Sequence, residues 1–262
     1  MKHKPINCEA SVRIYDKKDC AFHARLGWSQ TEWHSHRKGQ LIYAEHGIMR
    51  LYIGDKVLYI PSMHAAWIPM GVEHRVATES INIIFRSLYL DCSGLDDLFY
   101  DQVSVFYASA LLRQMITYTE KFNLEDTATT HEISFLEALK QLLPQQAQMK
   151  INLTLPTTAH PQLAPVTEYI QAHVHEKFSM PDIAGRFGIG ERTLSRLFQK
   201  ELLLPFSQYV KLVRMVKAVE MLIRPGSNVS EVSYAVGYES LPTFSNNFNE
   251  IMGIRPNQFL QK

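Results

Sequence analysis

Two stretches of the chain match each other about 50 residues apart, and this internal repeat restricts the possible fold more than any other feature. Ile183-Ala184-Gly185-Arg186-Phe187-Gly188 corresponds to Val232-Ser233-Tyr234-Ala235-Val236-Gly237 at an offset of 49, and Leu194-Ser195-Arg196-Leu197-Phe198 to Phe244-Ser245-Asn246-Asn247-Phe248 at an offset of 50. Each copy reads as helix, turn, helix. Ser179-Met180-Pro181-Asp182 offers a capping hydroxyl, a first-turn proline and a carboxylate at the third helical position, and Gly188 closes that helix. A second helix starts near Glu191. At about 100° per residue, Leu194, Leu197 and Phe198 fall in one arc and Arg192, Ser195, Arg196 and Gln199 in the opposite one. In the second copy Asn228-Val229-Ser230-Glu231 caps, Gly237 closes and Ser240 caps again. Phe244 and Phe248 point inward there, while Pro242, Ser245, Asn246 and Asn249 repeat the outward spacing.

Polar residues opposite an apolar stripe occur on any surface helix, but two such faces in phase suit a repetitive partner. The segment 206–223 between the copies, if helical, spans about 27 Å, enough to hold two exposed helices near the roughly 34 Å repeat of successive major grooves. Arginine bridges guanine O6 and N7, Gln and Asn pair with adenine, and Ser reaches bases or phosphates. Residues 163–262 carry 11 Lys and Arg against 9 Asp and Glu, a net of +2. That excess is too small for an architectural protein coating DNA without sequence preference, and it implies few phosphate contacts.

The whole chain has 262 residues, 27 Lys+Arg against 26 Asp+Glu, and 46% hydrophobic residues, which is enough for two cores. No apolar run approaches the roughly 18 residues of a membrane span, and Met1-Lys2-His3-Lys4-Pro5 lacks the apolar stretch of a signal peptide, so a cytoplasmic location is expected. Cys8, Cys20 and Cys92 are odd in number and form no CxxC, which suggests neither a disulfide framework nor a thiolate zinc site.

The first half has another rhythm. Leu41-Ile42-Tyr43, Ile48 to Ile53, Val57 to Ile60 and Ile81 to Phe85 are short β-branched and aromatic bursts between turns at Gly47, Gly54-Asp55, Pro61-Ser62 and Pro69-Met70-Gly71, as in an antiparallel barrel. Past Asp91 the pattern reads as helical: Leu98, Val105, Leu112, Met115 and Ile116, then Ile133, Phe135, Leu136, Leu139 and Leu143. Two helices packed on the barrel are expected, with Phe135, Leu139 and Leu143 either facing it or forming a dimer interface. Pro144, Pro156, Pro161 and Pro165 mark an extended connector. The expected architecture is therefore α+β with two domains. Residues 1–143 form the β-barrel with two helices, 144–164 a linker, and 165–262 an all-α domain with helix-turn-helix units at about 179–201 and 228–250 joined by a linker helix.

With these motifs the chain resembles the AraC/XylS family of bacterial transcription regulators. The resemblance covers about 100 residues from Val166 onward, including the joining helix with Tyr209, Arg214, Ala218 and Leu222 and the closing Gly253-Ile254-Arg255-Pro256-Asn257-Gln258-Phe259. It implies base-facing sites at Arg192, Ser195 and Arg196 in the first unit and at Leu241, Pro242, Ser245 and Asn246 in the second. Two departures stand out. Leu203-Leu204-Pro205 lacks the glycine many members place before this proline, and Asn246 replaces an arginine frequent in the second recognition helix.

In the first half, His34-Ser35-His36, Gln40 and Gly47, then Pro69-Met70-Gly71-Val72-Glu73-His74, resemble the two motifs of a cupin barrel, the sensor domain of many members. The resemblance implies a pocket for a small-molecule effector. His34, His36 and His74 could also hold a divalent metal, with Gln40 standing where metal-binding cupins have Glu. Trp28, Trp33, Tyr43, Tyr52 and Trp67 are available as pocket walls. The reading that follows is a sequence-specific regulator of promoter DNA, an activator by family habit, homodimeric, acting on RNA polymerase and without enzymatic activity. The alternative, a metal-dependent cupin enzyme with an appended helical domain, accounts for the histidines but leaves the repeat unexplained.

Overall fold

The computed structural model describes residues 4–5, 19–27, 29–78, 83–122, 129–151, 153–224 and 226–260. The chain forms two compact units, 1–54 with 58–152 and 55–57 with 153–262. The first carries strands β1 (Lys4–Pro5), β2 (Cys20–Leu26), β3 (Ser29–Gln30), β4 (Gly39–Ala44), β5 (Ile48–Ile53), β6 (Lys56–Pro61), β7 (His64–Ile68), β8 (Arg75–Thr78), β9 (Ile83–Leu90), β10 (Ser104–Tyr107) and β11 (Lys150–Ile151), with helices α1 (Ala110–Tyr118) and α2 (Thr130–Gln146). One sheet has the order β1-β3-β8-β5-β6 and the other β11-β10-β7-β4-β9-β2.

Register decides what each face of the second sheet does. Leu41 pairs with Trp67 and Leu88, so these three share a face, while Gln40 pairs with Ile68 and Tyr89 on the other. The first face is covered by helices: Leu41, Tyr43, Trp67, Leu88 and Phe106 form one core cluster with Leu112 and Ile116 of α1 and Leu136, Leu139 and Leu143 of α2. Gly39 is obligatory there, since a Cβ would stand 2.1 Å from the Trp67 ring.

Several expectations need correction. The first helical run resolves into other elements: Leu98 is exposed and Val105 lies in β10. Val105 and Phe106 are both buried, and a continuous apolar run in a doubly covered strand carries no alternation that would separate it from a helix. Leu139 and Leu143 are fully buried against the sheet, which removes both from a dimer surface, while the half-buried Phe135 packs on Tyr118 and Phe122. Tyr43 and Trp67 belong to the helix-covered core and do not line the face that carries Gln40. Trp28, Cys8 and Ile81 lie outside the described residues.

Residues 144–164, expected as an extended connector, begin inside α2, which runs through Pro144. Proline has no N–H to give the carbonyl four residues back, that of Lys140. Here the Tyr100 hydroxyl donates to the Lys140 oxygen in its place. Tyr100→Phe is expected to cost about 1–3 kcal/mol by leaving that buried carbonyl unpaired, measured as a drop in urea midpoint. Further on, Ile151, Leu153 and Leu155 are all buried, in β11, the following link and β12 (Thr154–Pro156).

The second unit continues as helices α3 (Ala164–Ala172), α4 (Met180–Phe187), α5 (Glu191–Leu202), α6 (Phe206–Leu222), α7 (Val229–Ala235), α8 (Leu241–Met252) and α9 (Pro256–Leu260). Its caps follow the sequence reading. Ser179 Oγ accepts from Asp182 N–H at 3.2 Å, Gly188 closes α4 at φ +63°, and Asn228 Oδ1 accepts from Ser230 and Glu231 N–H at 2.8 and 3.4 Å. The repeat extends beyond the turn-helix pairs at the same offset of 50: Tyr209 and Phe259 are both buried, as are Phe206 and Pro256, and Leu203 and Gly253 both sit in left-handed backbone.

Leu203 answers the missing-glycine departure. It is non-glycine at φ +56° and 74% exposed, whereas its counterpart Gly253 takes φ +71° without cost. Leu203→Gly is expected to stabilise the protein by about 0.5–1 kcal/mol, the steric relief exceeding the entropy glycine adds to the unfolded chain, read from the denaturation midpoint.

Candidate DNA-binding face and effector site

Helix α5 is held on one side by Leu194, Leu197 and Phe198, all buried, with Phe198 packed edge-on against Phe206 and Tyr209 of α6. The packing leaves Arg192, Ser195, Arg196 and Gln199 exposed together. Four lysines of this unit are neutralised locally: Lys177 by Glu239, Lys200 by Glu201, Lys211 by Glu250 and Lys217 by Glu220. Among the described residues Arg192 and Arg196 have no such partner, so their charge is available to an anion.

Helix α8 repeats the arrangement on the fully buried Phe244 and Phe248. Leu241, Pro242 and Asn246 are exposed, and Ser245 and Asn249 half-buried. One feature is not legible in the helix itself. Arg255, exposed at the start of α9, donates from Nη1 to Asn246 Oδ1 at 2.9 Å and to Ser245 Oγ at 3.4 Å. Only the closing position of Arg255 in the sequence pointed toward it.

Helix α6 spaces the two copies through buried Tyr209, Ala218 and Leu222. Tyr209 Oη accepts from Gln171 Nε2 of α3 at 2.8 Å. Arg214 reaches the second copy, donating to the Glu176 carbonyl at 2.9 Å while its guanidinium lies 5.5 Å from the Tyr238 ring centroid.

The four polar residues expected in the first half also come together. His34 and His74 pair through reciprocal backbone bonds, His34 N–H to His74 O at 3.0 Å and His74 N–H to His34 O at 2.9 Å. Their ring centroids are 4.3 Å apart, and the His36 ring is 5.0 Å from His74. Each Nδ1 faces a backbone carbonyl: Glu32 at 2.8 Å for His34, Lys38 at 2.5 Å for His36 and Val72 at 2.8 Å for His74. A carbonyl only accepts, so Nδ1 carries the proton and the neutral ring turns an Nε2 lone pair inward. Burial keeps His36 below the usual histidine range and pushes His74 down to about 4, so both rings are neutral at pH 7.

Gln40 closes the group. Its carboxamide oxygen lies 3.1 Å from Nε2 of both His36 and His74, and its nitrogen 2.8 Å from Ser87 Oγ and 3.0 Å from Tyr89 Oη. Oxygen and two lone pairs are all acceptors, and two arrangements resolve the conflict. A cation among them uses every acceptor, or the carboxamide turns over so that its NH2 donates to both imidazoles and its oxygen accepts from the two hydroxyls. One ring nitrogen from each of His34, His36 and His74 lies within 4.8 Å of the others, and the carbonyls orient them as outer partners orient metal-ligating histidines. Three nitrogens on one zinc at about 2.1 Å stand roughly 3.4 Å apart, so the donors fit a divalent ion after a small contraction.

Of the aromatic residues named for pocket walls, Tyr52 and Trp33 flank Arg75, whose guanidinium is 4.1 and 5.6 Å from their ring centroids. Neither of the two described cysteines, Cys20 and Cys92, forms a disulfide. Cys20 is buried, and burial pushes the Cys92 thiol up to about 12, which removes it as a ligand or nucleophile at neutral pH.

Comparison with known proteins accounts for both halves. The family model of the AraC-like ligand binding domain matches residues 19–146, and that of a helix-turn-helix domain matches 183–262. The HTH-type transcriptional regulator NimR of Escherichia coli is 29% identical over 230 residues, 87% of this chain and 82% of that protein. GbdR of Pseudomonas aeruginosa, another HTH-type transcriptional regulator, is 30% identical over 38% of this chain, which spans only 27% of it. The transcriptional activator RhrA of Rhizobium meliloti is 28% identical over 66% of this chain and 51% of its own length. With an AraC-like ligand-binding domain ahead of a helix-turn-helix domain, the chain belongs to the AraC/XylS family of transcription regulators.

Proposed function

We propose that the protein binds promoter DNA through two helical faces, Arg192, Ser195, Arg196 and Gln199 on α5 and Leu241, Pro242, Ser245, Asn246 and Asn249 on α8, with residues 165–262 in the DNA-binding domain and the β-sheet unit, which continues past residue 143 through the end of α2 and β11, as the effector domain. The observation that carries this reading is the pair of exposed, unneutralised guanidiniums on α5, repeated in phase by the uncharged polar face of α8. A pool of random duplexes equilibrated with the intact protein should yield one shared sequence with two contacted stretches. Recovery of unrelated duplexes with equal affinity would sink it.

The effector site is assigned to the group His34, His36, Gln40 and His74, where three imidazoles held through Nδ1 and a carboxamide form an inward polar ring. A small molecule with clustered N–H or O–H donors is bound there, or a divalent cation is held through the three Nε2 atoms. When bound, the ion supplies a Lewis-acidic point for an anionic effector group. Calorimetric titration with Zn2+ alone separates the two: binding by the wild type that is lost in His36→Ala supports the ion, and no heat in either leaves the organic effector.

The same reading makes the protein a homodimeric, cytoplasmic activator that recruits RNA polymerase and catalyses no reaction. The activator assignment is supported by the similarity to RhrA, and the location by the absence, among the described residues, of a helix long and apolar enough to cross a membrane. Exposed Leu111 and Tyr118 on α1 and Ile133 on α2 are the apolar residues available to a second copy. Effector binding controls DNA engagement in so far as the effector binds two domain or dimer arrangements unequally.

A further inference from the structure

We propose that Arg255 is the DNA-contacting cation of the second helix-turn-helix, delivered to its recognition face from outside the recognition helix; the inference rests on the DNA-binding reading above. Helix α8, Leu241–Met252, contains no Lys or Arg, and its one charged residue, Glu250, is held by Lys211 Nζ at 3.0 Å. The offset of 50 that places Arg196 on the outward face of α5 places Asn246 at the matching point of α8. The Arg255 guanidinium fills this deficit, since its Nη1 bonds both Asn246 and Ser245.

The root of the side chain is fixed. Arg255 N–H donates to Gln258 Oε1 at 2.9 Å, and the Arg255 carbonyl accepts from Gln258 and Phe259 N–H at 3.0 and 3.2 Å. Pro256 and Phe259 are buried beside it. Among the described residues Arg255 has no carboxylate partner, so its charge is not consumed. A guanidinium carries five N–H donors, and Nη1 alone is engaged with the protein, which leaves the other nitrogens for acceptor oxygens of a duplex. Asn246 Oδ1 keeps a lone pair and Nδ2 both its hydrogens, so the pair presents donors and an acceptor side by side. The ligand chemistry is an anionic or carbonyl oxygen of DNA, from a phosphate or from a guanine edge.

The test uses the full chain and a duplex recovered from a random pool by the wild type. Arg255→Ala should weaken binding roughly 5- to 150-fold and lower the steepness of log K against log salt by about 0.9, with the melting temperature unchanged because the side chain is exposed. Arg255→Gln, which keeps hydrogen-bonding capacity without charge, should show the same loss of salt dependence. Equal weakening on all sequences identifies a phosphate contact, and lost preference at one base pair identifies a guanine. Wild-type affinity in Arg255→Ala while Arg192→Ala/Arg196→Ala is impaired overturns the proposal, as does uniformly weakened binding with an unchanged salt slope, which would mean that Arg255 touches neither a phosphate nor a base edge. If none of these variants alters binding, the DNA-binding face itself has been misassigned.

Discussion

Gly237→Ala is expected to destabilise the second unit by about 3 kcal/mol, three times the effect of the equivalent change in the first copy. The two glycines are repeat partners at the offset of 49 and both take positive φ, +63° at Gly188 and +83° at Gly237. Around Gly188 nothing lies within 4 Å of an added Cβ, so Gly188→Ala bears only the left-handed penalty of about 1 kcal/mol. At Gly237 the added carbon would stand 2.8 Å from Arg214 Nη2 and 2.9 Å from the Val174 carbonyl. One of those is backbone, and the other is a guanidinium already committed to the Glu176 carbonyl, so neither can retreat without breaking a contact between helices. Overpacking of this kind adds about 1–3 kcal/mol. Because Arg214 springs from the helix joining the two copies, the variant that remains folded should lose protection over one contacted stretch of its duplex and keep the other. Equal melting temperatures for Gly188→Ala and Gly237→Ala would show that the Arg214 contact is not rigid.

The repeat was legible because helix caps and apolar spacing are local properties. Ser179, Asn228, Gly188 and the Leu194, Leu197, Phe198 stripe act within one or two turns, and the structure places them as read. Elements decided by distant partners were not legible. The continuation of α2 through Pro144 depends on the hydroxyl of Tyr100, 40 residues before the Lys140 carbonyl it bonds. Strand β10 exists because β7 pairs with it, Val105 opposite Ala66, and its own residues do not alternate. The buried run Ile151, Leu153, Leu155 does alternate, but it lies among prolines that suggest a connector.

The candidate sites divide in the same way. The exposed face of α5 follows from helical spacing alone, whereas Arg255 reaches α8 only because Pro256 and Phe259 dock and turn the chain back. In the first half, the sequence named His34, His36, Gln40 and His74, and the fold brings all four together. Their proton arrangement could not be read from spacing, because it depends on the three carbonyls that fix Nδ1. The aromatic residues were the weakest inference. Alternation does not say which face of a strand looks toward helices, and Tyr43 and Trp67 took that face.

Replacing both Arg192 and Arg196 with Ala is expected to weaken specific binding by about 2–5 kcal/mol while leaving thermal stability unchanged. Each good arginine contact with a base edge contributes about 1–3 kcal/mol of discrimination, and the two residues lie one turn apart, so the losses need not add in full. Neither side chain packs into the core, and neither has an ion-pair partner among the described residues, so removing them leaves no orphaned charge behind. The helix should persist, since Leu194, Leu197 and Phe198 hold it. The single variants apportion the roles: loss of discrimination at one base pair marks a base reader, and uniform weakening with a slope lower by about 0.9 marks a phosphate contact. The matching face of α8 has no charge of its own, with Leu241 and Pro242 able to meet a thymine methyl and Ser245, Asn246 and Asn249 able to bond base edges. Alanine at Asn246 should therefore shift sequence preference with little change in salt dependence. A double Arg192→Ala/Arg196→Ala protein with a wild-type footprint and salt slope would mean that the exposed guanidiniums of α5 face solvent in the complex, and the DNA-binding surface would have to be sought on another face of the second unit.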